Sequence, residues 1–580
     1  MGKKSQETTH HGTEEVLSKL WQLIKQEKRD MWLVVGYSVV IGLLSLVVPL
    51  ASQAIINSVA LGVYTNRFFV LCAAIAIGLL ALGIFSVMER HVVDVLQRRL
   101  FVRTAFDLAQ RLPGIQRSAI QGESLAELVN RFFDVITIQK AIGKFLLDGV
   151  SSVLIIITGL LLLAVYHPFF ILFDFGLLLF LIFLVLILGQ GGLKTSIKES
   201  KKKYALVHWL EEVARCQLSF KMSGTPALIF KNVDHISEEY VKARSSHFRV
   251  LVRQALGSAV FKAVSAVGVI GIGGALVIER QLTLGQLVAA ELVIITILSV
   301  LEKLTNQFDD YYDLLTAVDK LSYITEKETE TAHGENFLQT SGSAAAISFK
   351  NVSFSYPGDA LLLKNITVEI PARSRTSIIG ASGGGKTTIA ALLVGLYQPD
   401  AGVIEFDGHD ISRLQLSELR REVGLVLHAD EIFDGTIEEN ITMGRNFTYP
   451  EIRAVLQTVE AWNEITLLPD GLQTRLSGSG KNLAQSFIRR IMFARAIIGN
   501  PKILILDESF GGMDAIAKLR LIDTLYSFKN RTIIDISHDA DLLKRAEKVL
   551  ILDKGEITES GAYNELSSRS EVFKNLFPML

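Results

Sequence analysis

The sequence predicts a multidomain chain: an all-α bundle of six membrane-crossing helices, followed by an α/β domain. Three observations carry that expectation. Six long apolar segments precede residue 310. A glycine-rich run at 380–388 follows the strand-like Ser377-Ile378-Ile379 and opens a helix-like stretch, the order of a P-loop. Further on, Lys502 to Leu506 is an apolar run that ends in Asp507-Glu508, as a buried parallel strand does at a ligand site.

Bulk properties agree with a chain that lives partly in lipid. At 580 residues it exceeds one ordinary domain, and 49% hydrophobic residues with a mean hydropathy of +0.35 are high for a soluble protein. The net charge of -1 gives no overall basic field, so nucleic acid is not an expected partner. Cys72 and Cys216 lie far apart without metal-ligand spacing, and both read as reduced, structural thiols.

Residues 1–30 read as a cytoplasmic N-terminus with an elbow helix. Met1 to about Thr13 is polar and has no apolar stretch before a small-residue cleavage site, so no cleaved signal peptide is expected. From Glu15 to Lys28, Val16, Leu17, Leu20, Trp21, Leu23 and Ile24 share one helical stripe, which suits a helix lying on a membrane surface or facing a core. Nothing ahead of residue 30 is long enough for a leader-cleaving peptidase.

Residues 31–325 form the expected transmembrane domain. The apolar segments fall near 31–56, 68–88, 146–166, 169–189, 255–278 and 284–301, and all but the last comfortably reach the ~20 residues that cross about 30 Å of hydrocarbon. Arg90, Arg98, Arg99, Arg103, Arg111, Arg117 and Arg131 follow the second segment, and Lys194, Lys198, Lys201, Lys202 and Lys203 follow the fourth. Positive charge on those connections makes them cytoplasmic, together with both ends of the region. Val92–Leu112 and Ala205–Val213 keep helical spacing, so the spans are expected to run on beyond the bilayer. Gly122-Glu123-Ser124 and Gly224-Thr225-Pro226 are the expected points where they turn back. Asp148, Asp174, Lys262 and Glu291 fall in or near spans, where ionisable groups line a polar path, sit at an interface or snorkel to it.

A polar linker at 326–343 leads to a domain at 344–580. Its strand-like runs, Ile347–Tyr356 and Ile366–Ile370, come ahead of the glycine loop. In Gly380-Ala381-Ser382-Gly383-Gly384-Gly385-Lys386-Thr387-Thr388, backbone N–H groups can curl around phosphate oxygens. Lys386 then meets the β- and γ-phosphates and the Thr387 hydroxyl meets Mg²⁺, so a nucleoside triphosphate is the expected ligand. Asp507 is expected to hold Mg²⁺ through its water shell. Glu508 would orient or deprotonate the attacking water, or else form a structural salt bridge. The run Arg531–Ser537 delivers His538, whose imidazole could donate to the γ-phosphate.

With these parts in place, residues 15 to 580 resemble the ATP-binding cassette (ABC) exporters, in which six spans and one nucleotide-binding domain share a polypeptide. The P-loop, the Ile503–Glu508 strand, Asp514 in the D-loop position, His538, and Leu282-Thr283-Leu284-Gly285-Gln286-Leu287 before the sixth span carry the resemblance. It implies a type I exporter-like fold, ATP and Mg²⁺ as ligands, and a dimer. Each ATP would lie between the P-loop of one subunit and a signature L-S-G-G-Q of the other, with Tyr356 on the adenine. Gly122-Glu123 and Arg131 through Asp134 look most like the type I secretion and peptide-exporting branch.

Two departures stand out. The signature position reads Leu483-Ala484-Gln485-Ser486-Phe487, without the hydroxyl and close-approach glycines through which a signature reaches a γ-phosphate. Leu476-Ser477-Gly478-Ser479-Gly480 is tempting but stands too far ahead of Asp507, and reads as a decoy. The Q-loop glutamine is replaced by His428. One half-pocket is thus complete and its counterpart is not. The resulting expectation is ATP-driven export by a heterodimer, one site competent and one degenerate, with the partner half-transporter supplying an intact signature. An impaired homodimer, or a regulatory or channel-like protein with little turnover, is the alternative. The expected location is the cell (inner) membrane, multi-pass, with the ATP-binding domain cytoplasmic. Membrane lipid is a partner, and the exported substrate is undetermined.

Overall fold

The computed structural model describes residues 13–60, 67–120, 129–330, 334, 344–427, 432–477 and 483–577. These fall into two compact units, one within Met1–Pro113 and Gly122–Lys327, the other within Gly114–Gln121 and Glu328–Leu580.

The first unit is all helix. Six stretches are long and apolar enough to cross a membrane: Lys28–Ala60, Phe68–Gly114, Phe133–Tyr166, Pro168–Leu188, Ala227–Ile278 and Leu284–Thr325. The fourth shows how sequence spacing becomes packing. Phe170, Leu177 and Leu184 recur every seven residues and are buried, whereas Ile171, Leu172, Phe175 and Leu178 are exposed as a lipid-facing surface. Burying each such side chain stabilises the bundle by about 1.5–3 kcal/mol. His167 and Pro168 start this helix: the His167 ring accepts from the Phe169 N–H at 3.2 Å, and proline fills the first turn, where no amide hydrogen is required.

The expected extension of the spans is present. Arg67–Arg111 is one helix of 45 residues and Ala227–Ile278 one of 52, each far longer than the ~20 a bilayer requires. Gly224-Thr225-Pro226 separates Gln217–Met222 from Ala227–Ile278, as expected. The other long helix stops earlier than the glycine at 122. It ends at Arg111, ahead of a short turn at Leu112–Gly114, because Pro113 lacks the N–H that would continue it. Gly122-Glu123-Ser124 lies outside the described residues.

Ionisable groups in this unit tie helices together. Lys303 and Gln307 both donate to Asp148, the latter at 2.9 Å, and Lys262 meets Glu302 at 2.6 Å. Glu89 is buried and accepts from Ser38 and from Ser151, the latter at 2.8 Å, joining three helices. Asp174 keeps one buried carboxylate oxygen without a hydrogen-bond partner among the described residues.

The second unit contains two main sheets. An antiparallel sheet orders Leu361–Ile370, Ile347–Ser355, Ala401–Phe406 and His409–Asp410. The other runs Glu556–Gly561, Lys548–Asp553, Arg375–Gly380, Thr532–Ile536, Ile503–Asp507, Val423–Val426, all parallel after the first pair. Ile503–Asp507 and Thr532–Ile536 are buried along their whole length, which explains their unbroken apolar character. The short segment at 114–116 lies beside 328–330 in this unit: Gln116 N–H donates to Glu328 C=O at 2.9 Å and Glu330 N–H to Gly114 C=O at 2.7 Å. Glu330 also grips Arg420 in a two-pronged pair at 2.6 and 2.8 Å. Arg420 in turn donates to the Val394 and Gly395 carbonyls, at the C-terminal end of the Lys386–Leu393 helix.

Candidate functional site

Three parallel strands bring the expected chemistry to one edge of the sheet. Ile536 pairs in register with Ile378 on one side and Asp507 on the other, so the strand ends carrying Gly380, Asp507-Glu508 and His538 lie together. Ligands of open α/β sheets bind outside such C-terminal ends.

The glycine loop runs from Gly380 to Gly385 and the Lys386–Leu393 helix follows. Gly385 has φ +97, and a β carbon there would stand 2.7 Å from Leu363 Cδ2, so both backbone and space demand glycine. The Lys386 ammonium donates to the Gly380 and Ala381 carbonyls at 2.7 and 3.0 Å, which aims it back over the loop. Burial pushes this lysine below its ordinary pKa, while the Glu508 and Asp507 carboxylates raise it. Thr387 is exposed beside it, and Thr388 is buried and hydrogen-bonded to the Tyr356 hydroxyl at 2.9 Å. Tyr356 thereby lies against the P-loop helix, and Tyr397 packs edge-on to it with centroids 5.3 Å apart.

Asp507 is buried at the end of its strand and Glu508 is exposed. Glu508 has φ +45, uncommon for a residue with a side chain, and its N–H donates to Ile536 C=O at 2.9 Å. That reversal turns the chain out of the strand and fixes where the carboxylate leaves it. His538 is held below the ordinary imidazole pKa, first by burial and then by the Lys386 charge, with Glu508 opposing. Its ring is therefore neutral at pH 7. A cleft of about 480 Å³ lies beside Glu508 and His538, with Phe510, Lys518 and Leu542 among its walls. Asp514 caps the Ala515–Ser527 helix by accepting from Ala517 N–H at 2.8 Å.

The helix Gln485–Ile497 begins with Ala484 at its N-cap, where no side chain hydrogen-bonds the first amides. The Gln485 side chain lies over Gly512, where a β carbon would come within 2.7 Å of its amide. Ser486 is half-buried and Phe487 buried, anchoring the first turn, with Leu483 packed against the same core. Leu476, by contrast, sits in a two-residue strand paired with Gly435–Thr436 rather than at a helix start. His428 and Gly478 to Gly480 lie outside the described residues.

Residues 363–511 match the ABC transporter family. The C-terminal unit is an ABC transporter cassette. Over 308 residues the chain is 30% identical to an uncharacterised ABC transporter ATP-binding protein, YfiC, of Bacillus subtilis, a match spanning 53% of this chain and 51% of that protein. It is 23% identical to the lactococcin-A transport/processing ATP-binding protein LcnC of Lactococcus lactis, over 98% of this chain and 80% of that protein. A bacterial Atm1-family ABC exporter solved with ATP bound superimposes with a TM-score of 0.81 at 21% identity, covering 95% of this chain and 98% of that one. The chain thus has the six-span, one-cassette fold of an exporter half. Membership makes ATP hydrolysis coupled to transport its class of activity.

Two features of the cassette were not anticipated from sequence. Lys518 clasps Asp539 and Asp541 at 2.8 and 2.9 Å just past His538. Asp535 is a buried carboxylate between the P-loop strand and the strand leading to His538. An acid inside an apolar run was the available signal; its partner across the sheet was not readable.

Proposed function

We propose that this chain is one half of an ATP-driven exporter that works as a heterodimer, with one hydrolysing site and one that only holds ATP. The observation that carries the reading is the contrast between the two faces of the cassette. Lys386, Thr387, Asp507, Glu508 and His538 converge at the strand ends, while the helix that should complete a partner's pocket starts with Ala484 and carries Gln485 over Gly512. Losing one donor to a developing charge costs about 10²–10³ in rate, so the pocket this chain completes should be nearly silent.

In this reading Tyr356 meets the adenine and Gly380 to Thr388 cradle the phosphates. Thr387 and Asp507 offer the hard oxygen donors that suit Mg²⁺, which keeps most of its shell as water and phosphate. Bound Mg²⁺ would neutralise phosphate charge. Glu508 orients and deprotonates the attacking water, and neutral His538 donates to the terminal phosphate. The cassette faces the cytoplasm together with the N-terminus, and the full-length likeness to a lactococcin-A transport/processing protein favours a peptide cargo. The domain limits that go with this are 1–30, 31–325, 326–343 and 344–580.

The test is ATPase activity of the purified chain, alone and with candidate half-transporters that keep L-S-G-G-Q. Little turnover alone, restored by a partner and removed by Glu508→Gln, is the expected result. Full exporter-like turnover of the chain alone would overturn the asymmetric reading, and no turnover with any partner would favour a regulatory role for ATP.

A further inference from the structure

Thr532–Ile536 is buried on both faces, and Ile533, Ile534 and Ile536 fill it with apolar contacts. Asp535 interrupts them with no exposed surface. One of its oxygens accepts from Ser377 at 3.2 Å and from Ser537 at 2.9 Å, and the other has no hydrogen-bond partner. An orphaned buried acceptor is costly, and an aliphatic residue would serve this strand better if folding were all that mattered. Burial pushes the carboxyl up to about 7, with the serine hydroxyls opposing, which reflects the same cost.

The two serines give the group its connection to chemistry. Ser377 lies directly opposite on the P-loop strand, three residues before Gly380. Ser537 is the first residue past the other strand and immediately precedes His538, and its hydroxyl also accepts from Asp539 N–H at 3.3 Å. Asp539 is in turn held by Lys518 at 2.8 Å. A single buried oxygen therefore ties the strand that carries the P-loop to the turn that carries His538.

We propose that Asp535 is a positioning residue for His538: through Ser537 it fixes the turn against the P-loop strand, and so the imidazole's aim at the terminal phosphate of ATP. The inference rests on the assignment of His538 to that phosphate. It acts at a distance, since alternation along the strand puts Asp535 and His538 on opposite faces of the sheet.

The experiment measures equilibrium binding of Mg-AMP-PNP and Mg-ADP to the full-length chain in lipid nanodiscs, and follows the ratio of the two affinities. His538→Ala should lower the triphosphate preference by about tenfold, the worth of one hydrogen bond to a charged group. Asp535→Val and Ser537→Ala should each lower it several-fold while leaving Mg-ADP affinity within about twofold, which also reports that the cassette is folded. Asp535→Asn keeps an acceptor for both serines and should restore the ratio. Asp535→Val combined with His538→Ala should fall no further than His538→Ala alone. The proposal is overturned if His538→Ala lowers the ratio but Asp535→Val and Ser537→Ala do not, if both nucleotides weaken in parallel, or if the effects multiply. If His538→Ala itself leaves the ratio unchanged, the phosphate assignment fails and the proposal falls with it.

Discussion

Lys386 and Glu508 divide the work of the pocket in a way that two substitutions separate. Lys386 is buried against the loop it serves, so Lys386→Ala removes a charge that nothing nearby replaces, and ATP binding should weaken by at least tenfold in a direct titration. Glu508→Gln keeps the shape and should leave binding in place while turnover in a partnered complex drops about 10²–10⁴-fold. Asp535 gives a different readout. Its carboxyl sits near 7 in the fold against an ordinary value near 4, so its share of stability is fully present below about pH 4 and is lost as pH rises through about 7. A shift of that size corresponds to a few kcal/mol. Asp535→Asn should therefore raise the melting temperature of the cassette at pH 8, with a smaller gain at pH 5.5, as followed by scanning calorimetry of the full chain.

Among the elements, the helix Gln485–Ile497 is the one whose start decides the function. Restoring a hydroxyl and a glycine there, with Ala484→Ser and Gln485→Gly together, supplies an N-cap oxygen and clears the side chain from Gly512. If the missing signature is what silences the pocket, ATPase activity of the chain on its own should rise by ten- to a hundredfold. The P-loop, the Asp507 strand and the six spans were legible in the sequence because each is local: spacing, an apolar run, a length. What escaped depended on distant residues. Glu89 sits beside Arg90 at the edge of a span, and nothing near it in sequence announces Ser38 and Ser151 on two other helices. Asp535 was visible as an acid among isoleucines, but Ser377 comes to it only through sheet pairing 158 residues away. The end of the Arg67–Arg111 helix was set by Pro113, a stronger stop than the glycine at 122.

For the molecule as a whole, the chain passes between its two units near residues 113, 121 and 327. Two of those crossings are laced together, since Gly114 to Gln116 and Glu328 to Glu330 exchange backbone hydrogen bonds and Glu330 holds Arg420 at the back of the P-loop helix. A tug delivered along either covalent tether is thus shared at one anchor and arrives at the rear of the element whose front faces the nucleotide. Geared in this manner, the cassette needs no separate relay to feel tension in its own polypeptide.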